Sequence, residues 1–289
     1  MMDLSGAQGV LRAACVQNCA TPCWEENLTV VTDLVEAAHG DGAELVALPE
    51  YFSGLETDGA RISPVAFAEA AHPVLAAFSE MARDKQLWLL LGSLGIEDAA
   101  GRVFNRSYVL GPDGRVVSRY DKIHMFDVDL GEGKSYRESK TIAPGARAAV
   151  AATPWGGIGL SICYDLRFPA LYRALAQAGA DILAIPAAFT RTSGEAHWHA
   201  LVRARAIETG SYVLAACQYG TLDGGAECFG HSLIVDPWGE VHGDGGTTAG
   251  YVIADLDMAR VAETRGRIPS LMLDRAFTMD VASSAEAAE

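Results

Sequence analysis

Apolar residues follow two patterns along the chain, and the two patterns alternate. Runs of about four to eight mostly apolar residues predict buried strands, whereas apolar residues that recur every three or four positions predict helices with one buried face. The runs predict strands over residues 12–17, 45–48, 87–94, 102–110, 115–120, 148–153, 158–163, 182–187, 212–218, 232–235 and 251–254. The helical spacing predicts helices from Thr21-Pro22 to about Gly40, and over residues 65–83, 169–178 and 197–209.

Turn residues separate several of these strands. Gly111-Pro112-Asp113-Gly114 is typical of a hairpin, and Pro154 to Gly157 and Pro237-Trp238-Gly239 predict further turns between strands. Strands that alternate with helices and are joined in places by hairpins imply mixed sheets with helices packed outside them. Because we find no Pro- or Ser-rich linker and no repeat, we expect one domain over residues 10–270, followed by a flexible tail over residues 281–289.

Composition narrows the classes of partner. The 289 residues include 22 Lys and Arg against 37 Asp and Glu, a formal net charge of −15. Nucleic acid and anionic membrane surfaces are therefore poor partners, because binding to phosphates depends on Lys and Arg. No apolar stretch reaches the roughly 20 residues of a membrane helix, and we expect no targeting segment. A reducing cytoplasm with free cysteines is the expectation for a protein of this size.

Three reactive side chains stand at the ends of predicted strands. Glu50 follows the strand over residues 45–48, Lys122 follows 115–120, and Cys163 ends 158–163. Each alone has an ordinary structural explanation: a solvated turn carboxylate, a surface ion pair or a small buried thiol. Together they offer a nucleophile, a proton shuttle and a cation that can stabilise an oxyanion, a set that favours nucleophilic catalysis.

The segments around these residues resemble the signature motifs of the nitrilase superfamily, the carbon–nitrogen hydrolases. The motifs are Leu48-Pro49-Glu50, Tyr120-Asp121-Lys122-Ile123-His124 and Ile162-Cys163-Tyr164-Asp165-Leu166-Arg167-Phe168-Pro169. The similarity runs from Arg12 to about Arg267, and its flanks are most similar to the amidase branch that contains deaminated-glutathione amidases and omega-amidases. The resemblance implies an α/β fold, a four-layer α-β-β-α sandwich of two mixed sheets with outer helices, that pairs into a homodimer or a higher homo-oligomer.

The resemblance also implies roles for individual residues. Cys163 matches the nucleophile, Glu50 the general base and Lys122 the transition-state stabiliser, while Glu138 matches a second glutamate of the same pocket. Glu138 either holds Lys122 or positions the substrate amide, and the sequence leaves both open. The backbone N–H of Tyr164 is expected to join Lys122 at the oxyanion.

Three further residues are candidates for substrate binding. Arg167 stands four residues after the proposed nucleophile, where a guanidinium could hold a substrate carboxylate or form a structural ion pair with Asp165. Thr190 and Arg191 follow another predicted strand end, in what resembles the substrate loop of the family.

The expected reaction is hydrolysis of a small carboxylate-bearing ω-amide to acid and ammonia through a cysteine thioester. Deaminated glutathione is the first candidate substrate; α-ketoglutaramate and N-carbamoyl amino acids are alternatives, and a non-enzymatic scaffold is disfavoured because Cys163, Lys122 and Glu50 are all present. No cofactor or metal is expected. The spacing of Cys15, Cys19 and Cys23 fits no zinc or iron–sulfur pattern, and the two histidines at 197 and 199 point to different sides of a helix.

Overall fold

A computed structural model describes residues 9–58, 61–131 and 135–281. Within these ranges lie five α-helices, namely α1 (Trp24–Gly40), α2 (Pro73–Lys85), α3 (Pro169–Gln177), α4 (Arg191–Thr209) and α5 (Ala259–Arg267). Short 3₁₀ helices span Glu69–Ala71, Glu138–Lys140, Cys163–Arg167 and Ser270–Met272. All but one residue of the predicted tail over 281–289 lies outside the described residues.

Twenty strands lie in the same described part of the chain. The first ten are β1 (Val10–Gln17), β2 (Leu45–Ala47), β3 (Leu55–Asp58), β4 (Arg61–Pro64), β5 (Ala66–Ala68), β6 (Trp88–Glu97), β7 (Val103–Leu110), β8 (Val116–Asp121), β9 (Asp127–Asp129) and β10 (Ser135–Arg137). The others are β11 (Ile142–Ala143), β12 (Val150–Thr153), β13 (Gly156–Leu160), β14 (Ala180–Ala184), β15 (Tyr212–Ala215), β16 (Tyr219–Thr221), β17 (Glu227–Phe229), β18 (Leu233–Val235), β19 (Val241–Asp244) and β20 (Gly250–Asp257).

Two mixed sheets form the centre of the molecule. The first has the order β11-β7-β6-β2-β1-β20, with β5 added to β6 and β8 to β7. The second has the order β12-β13-β14-β15-β18-β19. In each sheet three adjacent central strands run parallel, and antiparallel strands complete the edges, as the alternation of helices and hairpins predicts.

The burial of alternate residues in the first sheet defines the layers. Ala13 and Cys15 of β1 belong to the core between the two sheets, whereas Ala14 and Val16 pack in a separate core with α1 and α2. On the other side of the molecule α3 and α4 cover the second sheet, and their buried side chains, such as Tyr172 and Trp198, belong to the same cluster of buried residues as that sheet. The order of layers is helices, sheet, sheet, helices, which confirms the α-β-β-α sandwich.

Three predicted helix starts are wrong, and side-chain hydrogen bonds explain the two in the first half of the chain. The first helix begins at Trp24 instead of Thr21, because the Asn27 side chain holds Thr21 through its backbone N–H (2.9 Å) and C=O (2.7 Å). The second begins at Pro73, where the His72 ring accepts a hydrogen bond from the Leu75 N–H (3.4 Å). The residues predicted as its first turns form β5 and a 3₁₀ helix.

The turn at Pro237-Trp238-Gly239 follows the predicted strand over residues 232–235, but the strand after it is not the predicted one over residues 251–254. It joins β18 to β19 within the second sheet, whereas the predicted strand over 251–254 belongs to β20, which pairs with β1 in the first sheet. Strand β19 lies at the edge of its sheet and is mostly exposed. Its sequence therefore carries no apolar run that the hydrophobic pattern could detect.

Candidate active site

The Glu50 carboxylate lies just beyond β2, on a turn that requires a close backbone approach. A Cβ at Gly92 of β6 would lie 1.9 Å from the Leu48 carbonyl oxygen and 2.2 Å from that of Pro49, so a side chain there would displace the turn. Gln218 supports the same turn by donating from Nε2 to the Glu50 carbonyl oxygen (2.7 Å). The sequence thus positions a buried glutamate at the carboxyl end of a central strand.

Lys122 joins the two glutamates. Its Nζ lies 2.9 Å from Glu50 Oε1 and 3.0 and 2.9 Å from the two oxygens of Glu138. All three side chains are 3% exposed or less, so they form a buried cluster of one ammonium and two carboxylates. Their convergence agrees with the predicted site, although Glu50 and Glu138 are 88 residues apart in the sequence (138 − 50 = 88).

Cys163 lies against this cluster in a strained backbone conformation. It is the first residue of the 3₁₀ helix that follows β13, and its φ of +48° is in the left-handed region that non-glycine residues rarely adopt. Its backbone N–H donates to the Pro186 carbonyl oxygen (2.8 Å) and ties the thiol-bearing turn to the segment after β14. Such strain in a non-glycine residue is typical of a functional site.

Burial and charge determine the protonation of these groups. Burial raises the pKa of the Cys163 thiol well above its usual value, and the negative charge of Glu50 raises it further, while Lys122 opposes both. Burial lowers the pKa of Lys122, but Glu138 and Glu50 outweigh it, so the net shift is upward. Burial also raises the pKa of Glu138. The resting site therefore holds a neutral thiol beside a charged ammonium.

The four residues line one pocket of about 50 Å³. Tyr164 and Thr190 line the same pocket, so six of the eight predicted site residues meet there. Its other lining residues are mostly apolar or aromatic: Tyr51, Leu55, Thr57, Ile62, Phe126, Tyr136, Ala188, Phe189, Ser193, Leu222, Ala226, Glu227 and Cys228. The mixture of an apolar wall and a few buried polar groups is typical of a small-molecule site.

A second, outer pocket of about 180 Å³ adjoins the first and shares Thr57, Tyr136 and Thr190 with it. Arg191 lines this outer pocket, where its Nε lies 3.6 Å from Glu227. It is the first residue of α4, which begins six residues before the predicted start. The residues Thr-Ser-Gly of that first turn are not apolar, so the spacing of apolar residues could not predict it.

Arg167 is not among the residues found to line either pocket in the described part of the chain. Its guanidinium lies over the rings of Phe189 (5.3 Å) and Tyr164 (5.9 Å) and 3.4 Å from His197 Nδ1. The alternative ion pair with Asp165 is not among the salt bridges of the described residues. Arg167 thus packs beneath the pocket wall, against two of its aromatic residues.

Two groups of the site were not predicted. Asn105 in β7 donates from Nδ2 to Glu50 Oε1 (2.8 Å) and to Glu138 Oε1 (3.4 Å), and the backbone N–H of Ala188 donates to Glu50 Oε2 (2.8 Å). A buried polar residue in the middle of a mostly apolar strand was the available signal for Asn105. The contact of Ala188 could not be predicted from its residue type, because it is made by the backbone N–H.

Histidines near the surface form a satisfied hydrogen-bonded group. The rings of His199 and His231 both face Asp244, with nitrogen–oxygen distances of 3.0 and 2.8 Å. His197 instead contacts Arg167, so the two histidines of α4 do face different neighbours, as their spacing predicts.

No helix within the described ranges is long and apolar enough to cross a membrane.

The arrangement can perform acyl transfer. A thiol for attack, a carboxylate to take its proton and an ammonium to stabilise the oxyanion lie within one buried pocket. The 3₁₀ helix begins at Cys163, and the first N–H groups of a helix have no acceptor within that helix. The Tyr164 N–H therefore adds a second donor beside the nucleophile.

Comparison with known proteins agrees with this chemistry. Residues 12–266 match the family described as carbon-nitrogen hydrolase. The deaminated glutathione amidase of Synechocystis is 39% identical over 264 residues, which are 90% of this chain and 96% of the relative. The omega-amidase NIT2 of Mus musculus is 37% identical over 272 residues, which are 94% and 98% of the two chains.

Solved structures share the fold. The NitFhit protein of C. elegans superimposes with a TM-score of 0.85 at 32% identity, over 93% of this chain and 66% of that longer chain. A mutant Nesterenkonia amidase, which carries the acetamide moiety of fluoroacetamide on its active-site cysteine, superimposes with a TM-score of 0.74 at 26% identity. That match covers 91% of this chain and 98% of the amidase.

Proposed function

The chain belongs to the carbon–nitrogen hydrolase family, and we propose that it hydrolyses amides with Cys163 as nucleophile and Glu50 as general base. Lys122 and the Tyr164 N–H stabilise the oxyanion, and Glu138 keeps Lys122 charged and in place. The observation that carries the proposal is the pair of 2.9 Å contacts from Lys122 Nζ to Glu50 and Glu138 in the pocket that holds Cys163.

The first half of the reaction forms a thioester. Because its raised pKa keeps the Cys163 thiol protonated, the sulfur attacks the amide carbonyl carbon as Glu50 takes the thiol proton. The carbon–oxygen electrons move onto oxygen, where Lys122 and the Tyr164 N–H stabilise the charge, by about 3–4 kcal/mol for each well-placed donor. Glu50 then gives the proton to the departing amine nitrogen, the C–N bond breaks and the acyl group remains on sulfur.

The second half returns the enzyme to its resting state. Water enters beside Glu50, which takes one proton as the water oxygen attacks the thioester carbonyl. The same donors stabilise the second oxyanion, the C–S bond breaks, and the thiolate takes the proton back from Glu50. The products are the free acid and the amine released earlier.

Two related substrates fit the relatives: the name of one relative states deaminated glutathione, and α-ketoglutaramate is an ω-amide of the kind that an omega-amidase cleaves. Deaminated glutathione and α-ketoglutaramate share one acyl arm, which ends in a keto group and a carboxylate, and both yield 2-oxoglutarate. Their leaving groups differ: α-ketoglutaramate releases ammonia, whereas deaminated glutathione releases the amine of cysteinylglycine. The expected ammonia product therefore applies to the second substrate only. Deaminated glutathione stays our first candidate, because the outer pocket provides space for a leaving group larger than ammonia.

The test is an assay of 2-oxoglutarate release from both amides, together with an assay of ammonia release from N-carbamoyl amino acids as a third substrate class. Cys163→Ala should abolish turnover, whereas Cys15→Ala should retain it. Cys15 is the matched control because its thiol is also buried and its pKa is also raised, yet it lies in the core between the sheets and away from the pocket. Full activity in Cys163→Ala would contradict the nucleophile assignment.

We further propose a homodimer or higher homo-oligomer whose protomers each fold as one hydrolase domain over residues 10–270. An apolar depression lined by Ile207, Trp238 and Ile268, each about half exposed, supports a protein contact on the α4 side of the molecule. Light scattering on the wild type and on Trp238→Glu tests it, and a wild-type monomer would contradict it.

The six unpaired cysteines support a reducing cytoplasm as the location of the protein.

A further inference from the structure

The hydroxyl of Tyr51 is buried without a partner. The residue follows Glu50 directly, lines the catalytic pocket and is 2% exposed. Its backbone is fixed, because the N–H donates to Ser93 Oγ (3.0 Å) and φ is +50°. Yet Tyr51 Oη makes no hydrogen bond to any residue that the structure describes. A buried polar group without a partner is rare and costly, so its persistence needs an explanation.

The hydroxyls of the other buried tyrosines form hydrogen bonds within the protein. Among the residues described, four further tyrosines are buried, and each hydroxyl has a partner. The partners are Glu69 for Tyr108 (3.1 Å), Asp165 for Tyr120 (2.7 Å), Ser161 for Tyr172 (2.7 Å) and the Asp257 carbonyl for Tyr212 (3.0 Å). Tyr51 differs from them in facing the pocket.

The surroundings of the hydroxyl indicate its orientation. Burial raises the pKa of Tyr51 well above its usual value, and the charges of Glu138, Glu50 and Cys163 raise it further. The hydroxyl is therefore a neutral O–H donor that lies near the reacting groups. The ring of Tyr51 packs with Leu55, Leu222 and Cys228. These side chains form an apolar wall, and the Tyr51 hydroxyl is the polar group in it.

The reacting amide has no need of this donor. Under the proposed function the amide oxygen is held by Lys122 and the Tyr164 N–H, and the amide nitrogen faces carboxylates that accept hydrogen bonds. A further donor set in an apolar wall is complementary to an oxygen atom elsewhere on the substrate. A site that hydrogen-bonds one substrate group discriminates strongly against analogues that lack it, because its own buried group is then left unpaired.

We propose that Tyr51 Oη donates a hydrogen bond to an oxygen on the acyl arm of the substrate and so selects amides with an oxygen-bearing arm over plain alkyl amides. This inference rests on the proposed amide hydrolysis. It makes Tyr51 a specificity-determining residue that contacts the substrate and leaves the chemical steps to Cys163, Glu50 and Lys122.

Two amides of equal chain length separate this role from a structural one. α-Ketoglutaramate carries oxygens on its five-carbon arm, and pentanamide carries none. Tyr51→Phe should lower the ratio of their kcat/KM values about 10- to 100-fold, the range expected for a hydrogen bond to a charged or strongly polar group. The variant should also unfold at no lower a temperature than the wild type, because the lost hydroxyl had no protein partner.

Tyr108→Phe is the matched control. It removes a buried hydroxyl that bonds Glu69 away from the pocket, so it should lower the unfolding temperature and leave the ratio of the two amides unchanged. An unchanged ratio in Tyr51→Phe would overturn the inference, while turnover lost only in Cys163→Ala would leave the proposed function intact.

A binding measurement separates failure of this inference from failure of the proposed function, because it can be made even if the wild type hydrolyses neither amide. Calorimetry on Cys163→Ala, with and without Tyr51→Phe, compares 2-oxoglutarate with pentanoate. We expect Tyr51→Phe to weaken 2-oxoglutarate binding about 10-fold or more relative to pentanoate. Equal weakening of both acids would overturn the inference.

Discussion

Asp165 Oδ1 accepts a hydrogen bond from His124 Nδ1 at 2.6 Å, and this contact links the motif of Lys122 to that of Cys163. Asp165 is completely buried. Its carboxylate also accepts from the backbone N–H of His124 (3.1 Å), the N–H of Ile162 (2.9 Å) and the hydroxyl of Tyr120 (2.7 Å). One carboxylate thus holds the ammonium-bearing and thiol-bearing segments in register.

We expect Asp165→Asn to destabilise the protein and to lower turnover. The amide group keeps one acceptor oxygen and directs its NH2 group at neighbours that are themselves donors, so buried donors lose their partner. The cost should be about 2–4 kcal/mol in the free energy of unfolding. Urea denaturation measures it, with the exposed Asp84→Asn as a control that should change stability by about 0.5 kcal/mol or less. Equal stability of the two variants would contradict this role for Asp165.

Removal of the Lys122 ammonium should have a pH-dependent cost. Lys122→Met leaves Glu50 and Glu138 as two buried carboxylates without a cation, at a cost of about 3–5 kcal/mol near neutral pH, and turnover should cease. Burial already raises the pKa of Glu138, and loss of the Lys122 charge that opposes this rise makes Glu138 bind more protons in the folded state than in the unfolded state. Stability of the variant should therefore rise as pH falls from 8 to about 5, as measured by urea midpoints.

The double variant Lys122→Met/Glu138→Gln separates stability from chemistry. It removes one of the two facing charges, so it should recover part of the lost stability at neutral pH. It should recover no turnover, because the oxyanion still lacks its cation. A double variant as unstable as Lys122→Met would show that charge repulsion is not the cause of the loss.

The hydrophobic pattern predicted the layers of the fold because each central strand is buried on both faces. The segments over residues 12–17 and 45–48 are mostly apolar because their successive side chains point in turn into the two cores. The short strands β3, β9, β16 and β17 escaped prediction. With β4 and β10 they form local hairpins around the pocket, and strands of three or four residues with polar or glycine positions are too short to show an apolar pattern.

The catalytic groups were predictable as residue types at strand ends, and their proximity followed from the motifs. The supporting groups were not. Ala188 acts through its backbone N–H, which no residue type reveals, and Asn105 contributes through a pairing between β6 and β7. The partner of Arg167 depends on where α4 begins, and the sequence placed that start six residues too late.

Acid should destabilise the protein through His72. Burial lowers the pKa of His72 to about 4, and the neutral ring accepts the Leu75 N–H at the start of α2. The unfolded chain has an ordinary histidine pKa near 6.5 and binds the proton first, so this contribution is complete above about pH 6.5 and is lost as pH falls toward 4. The loss amounts to roughly 3 kcal/mol.

His72→Asn tests this source of the acid sensitivity. Asparagine is a good helix N-cap and does not titrate, so the variant should keep α2 while its stability changes less between pH 7 and 4.5 than that of the wild type. Urea midpoints across that range give the two slopes. Parallel slopes would mean that other groups cause the loss at low pH.

Arg191 should distinguish the two candidate substrates. Under the proposed function the reacting amide occupies the inner pocket of about 50 Å³, whereas Arg191 lines the outer pocket and is half exposed beside Glu227. The glycine carboxylate of deaminated glutathione belongs to the leaving group, which we expect to extend into the outer pocket toward this guanidinium, whereas the ammonia of α-ketoglutaramate has no such group. Arg191→Gln should therefore lower kcat/KM for deaminated glutathione about 10-fold more than for α-ketoglutaramate, as measured by 2-oxoglutarate release.

Arg167→Gln supplies the matched control for this effect. It removes the same kind of charge from a guanidinium that packs on Phe189 and Tyr164, two residues of the pocket wall. Because that packing supports the site for either substrate, Arg167→Gln should change both kcat/KM values by the same factor. If Arg191→Gln changed both substrates equally and Arg167→Gln changed only deaminated glutathione, then Arg167 would be the residue that holds the carboxylate.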